Sequence, residues 1–252
     1  MANSSALQTV NWGKSVLFLL ICGLAAGCGS KSERPETITK LRAIGVEQVP
    51  VNAKIGDTVQ LTFYLLGKPD TTLTPEVLLD TKAPYSTPIA VTPVDATPVE
   101  TSLGPLSLYS YRATIAVVGS SVITASLART GSARLRYQVK FNGSGDDENV
   151  VGDTIVYPEN APTLAWTAPI IAITKPATTA SAGSLDLEGT IDSQGNETNH
   201  VSWFVSSGKV KNSSAKSTLW QDAESGTQTV VMTVRGKKSG AFAIKTQTVT
   251  LN

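Results

Sequence analysis

From residue 36 onward, apolar side chains recur at every second position, and that period decides what the chain can build. In Val59-Gln-Leu-Thr-Phe-Tyr-Leu65, Val59, Leu61, Phe63 and Leu65 fall on one side of an extended backbone, and Gln60, Thr62 and Tyr64 on the other. Residues 113–117 repeat the pattern. In residues 135–141 the intervening Arg136, Gln138 and Lys140 are expected to face water. A packed helix needs apolar residues three and four apart over about a dozen positions, and no stretch beyond residue 35 supplies them. The sequence predicts half-buried strands of antiparallel sheets and no amphipathic helix.

Punctuation divides these strands into two groups. Residues 71–75, 84–98 and 101–105 are dense in Pro and Thr, which suits edges and connections because Pro cannot donate to a ladder. Two X-Pro steps, at Ala161-Pro162 and Ala168-Pro169, favour an extended connector, with Trp166 between them placed to cap a domain interface. Beyond it, short apolar runs centred on Leu187, Trp203, Met232 and residues 241–251 are separated by turn signals at Asn196, Ser207-Gly208, Ser225-Gly226 and residues 235–240. Strands at intervals of about 8–12 residues are the pattern of a β-sandwich. At 252 residues the chain has room for two such domains. The expectation is all-β: domain 1 over 36–157, a linker over 158–169 and domain 2 over 170–252.

The first 27 residues read differently. A polar start containing Lys14 precedes an uncharged apolar run from Ser15 to Gly27, too short to span a bilayer before Ser30-Lys-Ser-Glu-Arg-Pro35 interrupts it. The run ends in Leu24-Ala25-Ala26-Gly27-Cys28, which resembles the lipobox of bacterial lipoproteins: small side chains fit a signal peptidase, and a thiol follows them. The resemblance implies cleavage of residues 1–27, a diacylglycerol on the Cys28 sulfur and a further acyl chain on the new amino terminus. Several chains together anchor stably, since each buried methylene contributes about 0.8 kcal/mol. Gly29, where Asp would retain such a protein in the inner membrane, points to the outer membrane. Residues 28–35 then form the lipidated Cys and a flexible spacer.

Cleavage also removes Cys22, so no intrachain disulfide is expected in the mature chain. Loss of Lys14 leaves basic and acidic residues balanced at 20 each, and nucleic acid is not an expected partner.

Over residues 168–252, the order Val201-Ser-Trp203, Gly208, Trp220, Gly226 and Thr229-Val-Val-Met-Thr-Val-Arg-Gly236 resembles bacterial Ig-like or PKD-type domains, in which a Trp on the third strand packs between the sheets. Residues 38–66, with Ile38-Thr-Lys-Leu-Arg42 and the segment from Lys54 to Leu61, similarly resemble the opening strands of Ig-like modules in bacterial surface lipoproteins. The resemblance implies two Ig-like antiparallel β-sandwich domains after a lipoprotein signal peptide.

Candidate chemistry is sparse. His200 is the only histidine, so a catalytic triad would have to use it, and zinc sites of His and Cys are excluded. Its place at a strand start after a turn reads as a surface or edge position. The run from Asn142 to Asn149 offers Asp146, Asp147 and Glu148, with Asp153 beyond, as hard oxygen ligands for calcium. A hairpin turn would choose the same residue types. No metal or cofactor beyond that calcium and the covalent lipid is indicated, and no glycine-rich phosphate loop occurs. Trp203 reads as core and Trp220 as the more open ring, a candidate platform for sugar stacking. The basic turn over 235–238 reads as a solvated hairpin tip.

These readings make the chain a non-enzymatic envelope protein of the bacterial outer membrane. Its expected partners are the membrane through the lipid and another envelope or surface protein, with a carbohydrate- or peptidoglycan-binding role as the alternative.

Overall fold

The computed structural model describes residues 36–78, 87–88, 94–95, 97–143, 147–161, 168–193, 198–237 and 240–252. The lipobox, Cys28, Gly29, Asp146, Trp166, Asn196 and Lys238 lie outside the described residues.

The first group of strands is β1 (Arg42–Val49), β2 (Ala53–Lys54), β3 (Thr58–Gly67), β4 (Leu73–Leu78), β5 (Thr87–Pro88), β6 (Val99–Ser102), β7 (Ser107–Ala116), β8 (Ala133–Gly143) and β9 (Asp147–Tyr157). They form two sheets, ordered β1-β3-β7-β6 and β2-β9-β8-β4, with β5 beside β8. The second group is β10 (Ile170–Lys175), β11 (Thr179–Ala180), β12 (Gly183–Asp192), β13 (Asn199–Val205), β14 (Lys209–Val210), β15 (Ser217–Ala223), β16 (Gly226–Gly236) and β17 (Phe242–Leu251). Its sheets run β10-β12-β15-β14 and β11-β17-β16-β13.

The two groups share one topology. In Ig lettering each has an A-B-E-D sheet facing an A′-G-F-C sheet, the arrangement of an Ig-like sandwich. In each, the A strand ends at a cis X-Pro bond, Val49-Pro50 or Lys175-Pro176, before a short strand pairs parallel to the last strand of the other sheet.

Alternation drives the cores. Val59, Leu61, Phe63 and Leu65 are fully buried and, with Tyr111 from the neighbouring strand of their own sheet, meet Leu135, Tyr137, Val139 and Phe141 from the facing sheet. Phe141 lies 4.8 Å from Tyr111 and 5.6 Å from Phe63, ring centre to ring centre, in tilted contacts of the kind aromatic rings favour. The second core is built on Trp203 and Trp220, with Leu187, Val230, Met232, Val234, Val249 and Leu251 around them. Trp203, on the third strand, donates from Nε1 to the Ala215 carbonyl at 2.8 Å, so its polar edge is satisfied inside.

Two expectations need correction. A helix is present: α1 (Ser121–Thr130) fills the connection between β7 and β8. Its apolar stripe is too weak for a periodicity argument, since Ile123 is its one buried residue. Its ends are nevertheless marked, by the Ser120 hydroxyl accepting from Ile123 N and by Gly131 in a left-handed turn. The second correction concerns the outer faces of β3 and β16, which are not uniformly wet.

Both sandwiches belong to one compact unit, Pro35–Asn252, and they meet face to face. Ile38, Ile44, Leu66, Leu103 and Leu106 of the first and Val231 of the second form a buried cluster, flanked by Tyr64, Leu108, Phe204 and Ile244. In β16, Val230, Met232 and Val234 point into their own core, whereas Thr229, Val231, Thr233 and Arg235 point toward the first sandwich. Gln228 through Val234 are consequently all buried.

Polar contacts stitch the same seam. The Thr229 hydroxyl donates to the Leu103 carbonyl, and Arg235 Nη2 donates to the Val46 carbonyl at 3.0 Å. Phe242 stacks on Tyr64 at 5.6 Å and lies over Gly45, where a Cβ would come within 2.1 Å of the Phe242 ring. Only glycine admits that ring. Four sheets are therefore layered, with three buried seams between them.

Candidate functional site

The sequence-predicted site residues do not gather at one place. Trp220 is fully buried, and its Nε1 donates to the Ser207 carbonyl at 2.8 Å. A sugar platform needs an exposed ring face, so Trp220 cannot provide one. In β15, Leu219 and Gln221 are half-buried, while the strand turns Trp220 inward.

The calcium set also separates. Asp147 and Asp153 share a face of β9 but stand six residues apart, about 20 Å along a strand. Glu148 lies on the opposite face. Asp147 pairs with Lys140 Nζ at 2.7 Å, and Asp153 with Arg136 Nε at 3.3 Å and Arg134 at 3.8 Å. These carboxylates balance cross-strand cations and cannot converge on one ion. No cluster of three metal-ligating side chains occurs among the described residues.

His200 sits exposed on β13 opposite Arg235, as an edge reading requires. Arg235 is not a free hairpin tip. It closes the seam on Val46 and lies 6.0 Å above the Phe242 ring.

Two surfaces remain that sequence reasoning did not single out. The first is an apolar tip at one end of the first sandwich. Ile55, Val118 and Val122 are 44%, 72% and 62% exposed. Ile55 and Val118 are brought together where Gly56 N donates to the Val117 carbonyl at 2.9 Å and Ile55 packs beside Gly119, and Val122 follows in the first turn of α1. Strand registers place this tip at the Thr58/Ala116 end of the sheet, about 26 Å from the Leu66 end where residues 36–41 lead in.

The lead-in segment is itself fixed. Val205 N donates to Glu36 O at 2.9 Å, Ile38 N to Val205 O at 3.0 Å and the Thr37 hydroxyl to Gly208 O at 2.6 Å, so residues 36–38 line the edge of β13. Gly208 is left-handed, with a Cβ there falling 2.4 Å from the Gln221 carbonyl, which reserves this turn for glycine.

The second surface is a groove beside the seam. A cleft of about 380 Å³ and an adjoining one of about 410 Å³ share Val46, Val151, His200 and Arg235 in their walls. Tyr137 reaches the groove under Gly152. Its phenol is pushed up to about 12, by burial first, with Arg235 opposing and Asp153 adding to the rise.

No protein-family model matches the chain, and no curated protein matches its sequence. Among solved structures, the fibronectin(III)-like modules of Clostridium thermocellum CbhA are similar at a TM-score of 0.32 and 15% identity, over 82% of this chain and 94% of that one. The EC1-3 segment of Drosophila N-cadherin gives 0.29 and 9%, over 84% and 67%. The D00-D0 domain of intimin gives 0.26 and 11%, over 82% and 99%. Likeness this low carries no argument about activity. The class is defined by the strand order itself: an all-β chain of two Ig-like antiparallel sandwiches.

Proposed function

We propose that this chain is a lipid-anchored, non-enzymatic protein of the bacterial outer membrane whose paired sandwiches act as a protein-binding, adhesion or structural scaffold module. The observation that carries the reading is the position of the apolar tip. Ile55, Val118 and Val122 lie at the end of the first sandwich remote from the segment that follows the lipobox. An exposed apolar cluster on loops held by a stiff sheet is the usual form of a protein contact.

The tether supports the same reading. Even fully extended, the backbone from Cys28 to Glu36 reaches about 28 Å. Acyl chains on Cys28 would therefore keep the β13 edge within about 28 Å of the bilayer and leave the tip, at the far end of the first sandwich, free to reach away from it. With Trp220 buried, the glycan alternative loses the ring that had been its candidate.

Metabolic labelling with a fatty acid tests the anchor: the label and membrane fractionation should follow the wild type and be lost together in Cys28→Ala. Val118→Glu combined with Val122→Glu tests the tip. The variant should keep its melting temperature and lose cell-surface or envelope association beyond that due to the lipid. Label on Cys28→Ala, or full association by the charged tip, would refute the corresponding half.

A further inference from the structure

We infer that the groove beside the seam binds an extended acidic peptide, which adds as a strand to the open edge of β9. This deepens the protein-binding reading and rests on it, though at a different surface from the apolar tip.

β9 is paired with β8 along its length, from Ala133↔Val156 to Asn142↔Asp147, with no break in register. On its other side only Val156 and Tyr157 have a partner, in β2. Among the described residues, the backbone of 147–155 therefore has no strand on that side. An open, regular edge is a template for another extended chain.

The groove runs along this edge rather than over one face of the sheet. Residues 148–153 all border it, and consecutive residues of a strand point to opposite faces. A space touching every one of them lies beside the backbone. Across it stands the edge of β1, which is a poorer template because its register breaks between Ala43 and Gly45. The two edges are joined at one end, where the Thr154 hydroxyl donates to Gln48 Oε1 at 3.2 Å. Over residues 148–153 the open edge is about 17 Å long.

Charge selects the occupant. Arg134, Arg235 and Lys237 border the groove, with Arg136 just behind, against Asp153 and Glu148. Asp153 is already shared by Arg134 and Arg136, and Arg235 and Lys237 have no carboxylate partner among the described residues. A strand carrying Glu or Asp on alternate residues would meet Arg235 and Lys237 from the opposite wall while its main chain pairs with β9. A basic strand would be repelled.

Fluorescence anisotropy of the full chain with a labelled short peptide alternating Val and Glu provides the test, with the Val and Lys version as control. The acidic peptide should bind, weaken with added salt, and shift the backbone amide resonances of residues 148–153. Lys237→Glu, at an exposed position, should weaken binding about fivefold, and Arg235→Gln should weaken it as well. Equal binding of both peptides, no binding, or shifts confined to other residues would each overturn the inference. So would β9 amides that shift with protein concentration alone, which would assign the edge to a second copy of this chain. None of these outcomes bears on the lipid label or the Val118 and Val122 variant, so the broader reading stands or falls separately.

Discussion

Leu66→Ala separates two sandwiches that share a face from two that merely share a chain. Leu66 lies on the outer side of β3, away from its own core, yet it is fully buried in the cluster with Ile38, Ile44 and Val231. Were the sandwiches independent, that side chain would be exposed and its truncation would cost roughly 0.5 kcal/mol or less. In the layered structure it leaves a cavity between close-packed sheets, which costs about 3 kcal/mol. For a chain of this size that is a fall in melting temperature of about 6–12 °C. Urea titration by tryptophan fluorescence reads the loss as a lower midpoint at unchanged slope. Val231→Ala should be costly as well, and the double variant should deviate from additivity by at least about 0.5 kcal/mol, because both side chains belong to one cluster. Two small, additive effects would refute the shared seam.

Other consequences are checkable on the same variants. Gly45→Ala should cost about 1–3 kcal/mol by driving a Cβ into the Phe242 ring, and it should cost far less when Phe242 is also Ala; equal costs in both backgrounds would place the strain elsewhere. Since burial holds the Tyr137 phenol up to about 12, the native state keeps a proton that the unfolded chain loses near pH 10. Stability should be intact below about pH 10 and fall by roughly 2–3 kcal/mol as pH climbs to about 12, with Tyr64 and Tyr111 acting in the same direction; a flat urea midpoint over that window would contradict the buried placement. A chelator should leave the melting temperature unchanged, since Asp147 and Asp153 answer to Lys140, Arg134 and Arg136, and a chelator-induced drop would restore the calcium reading. Trp220→Ala should destabilise by about 3–5 kcal/mol through loss of core, and a merely silent surface effect would put the ring back outside.

What the sequence discloses depends on whether a residue answers to its own sheet or to a distant one. Val59 through Leu65 alternate because one sheet face meets one core, and the strand is legible from that period alone. In β16 the signal was also present, as the near-continuous run from Thr229 to Val234, which means burial on both faces. Read as a marker of a sheet covered on each side, it would have pointed to the second seam. The helix α1 was hidden for the opposite reason: it buries little, and its ends are written in Ser120 and Gly131 rather than in a stripe. The groove was not legible at all. Its walls come from β1, β8, β9, β13 and β16, far apart in sequence, and its chief feature is an unpaired backbone edge, which no side-chain pattern encodes.

Methyl-labelled NMR of the full chain interrogates the seam directly. Nuclear Overhauser contacts should link the methyl groups of Ile38, Ile44 and Leu66 with those of Val231 and Ile244. If each set shows contacts only within its own sandwich, the four sheets are not layered, and neither the fixed lead-in segment nor the groove exists as described.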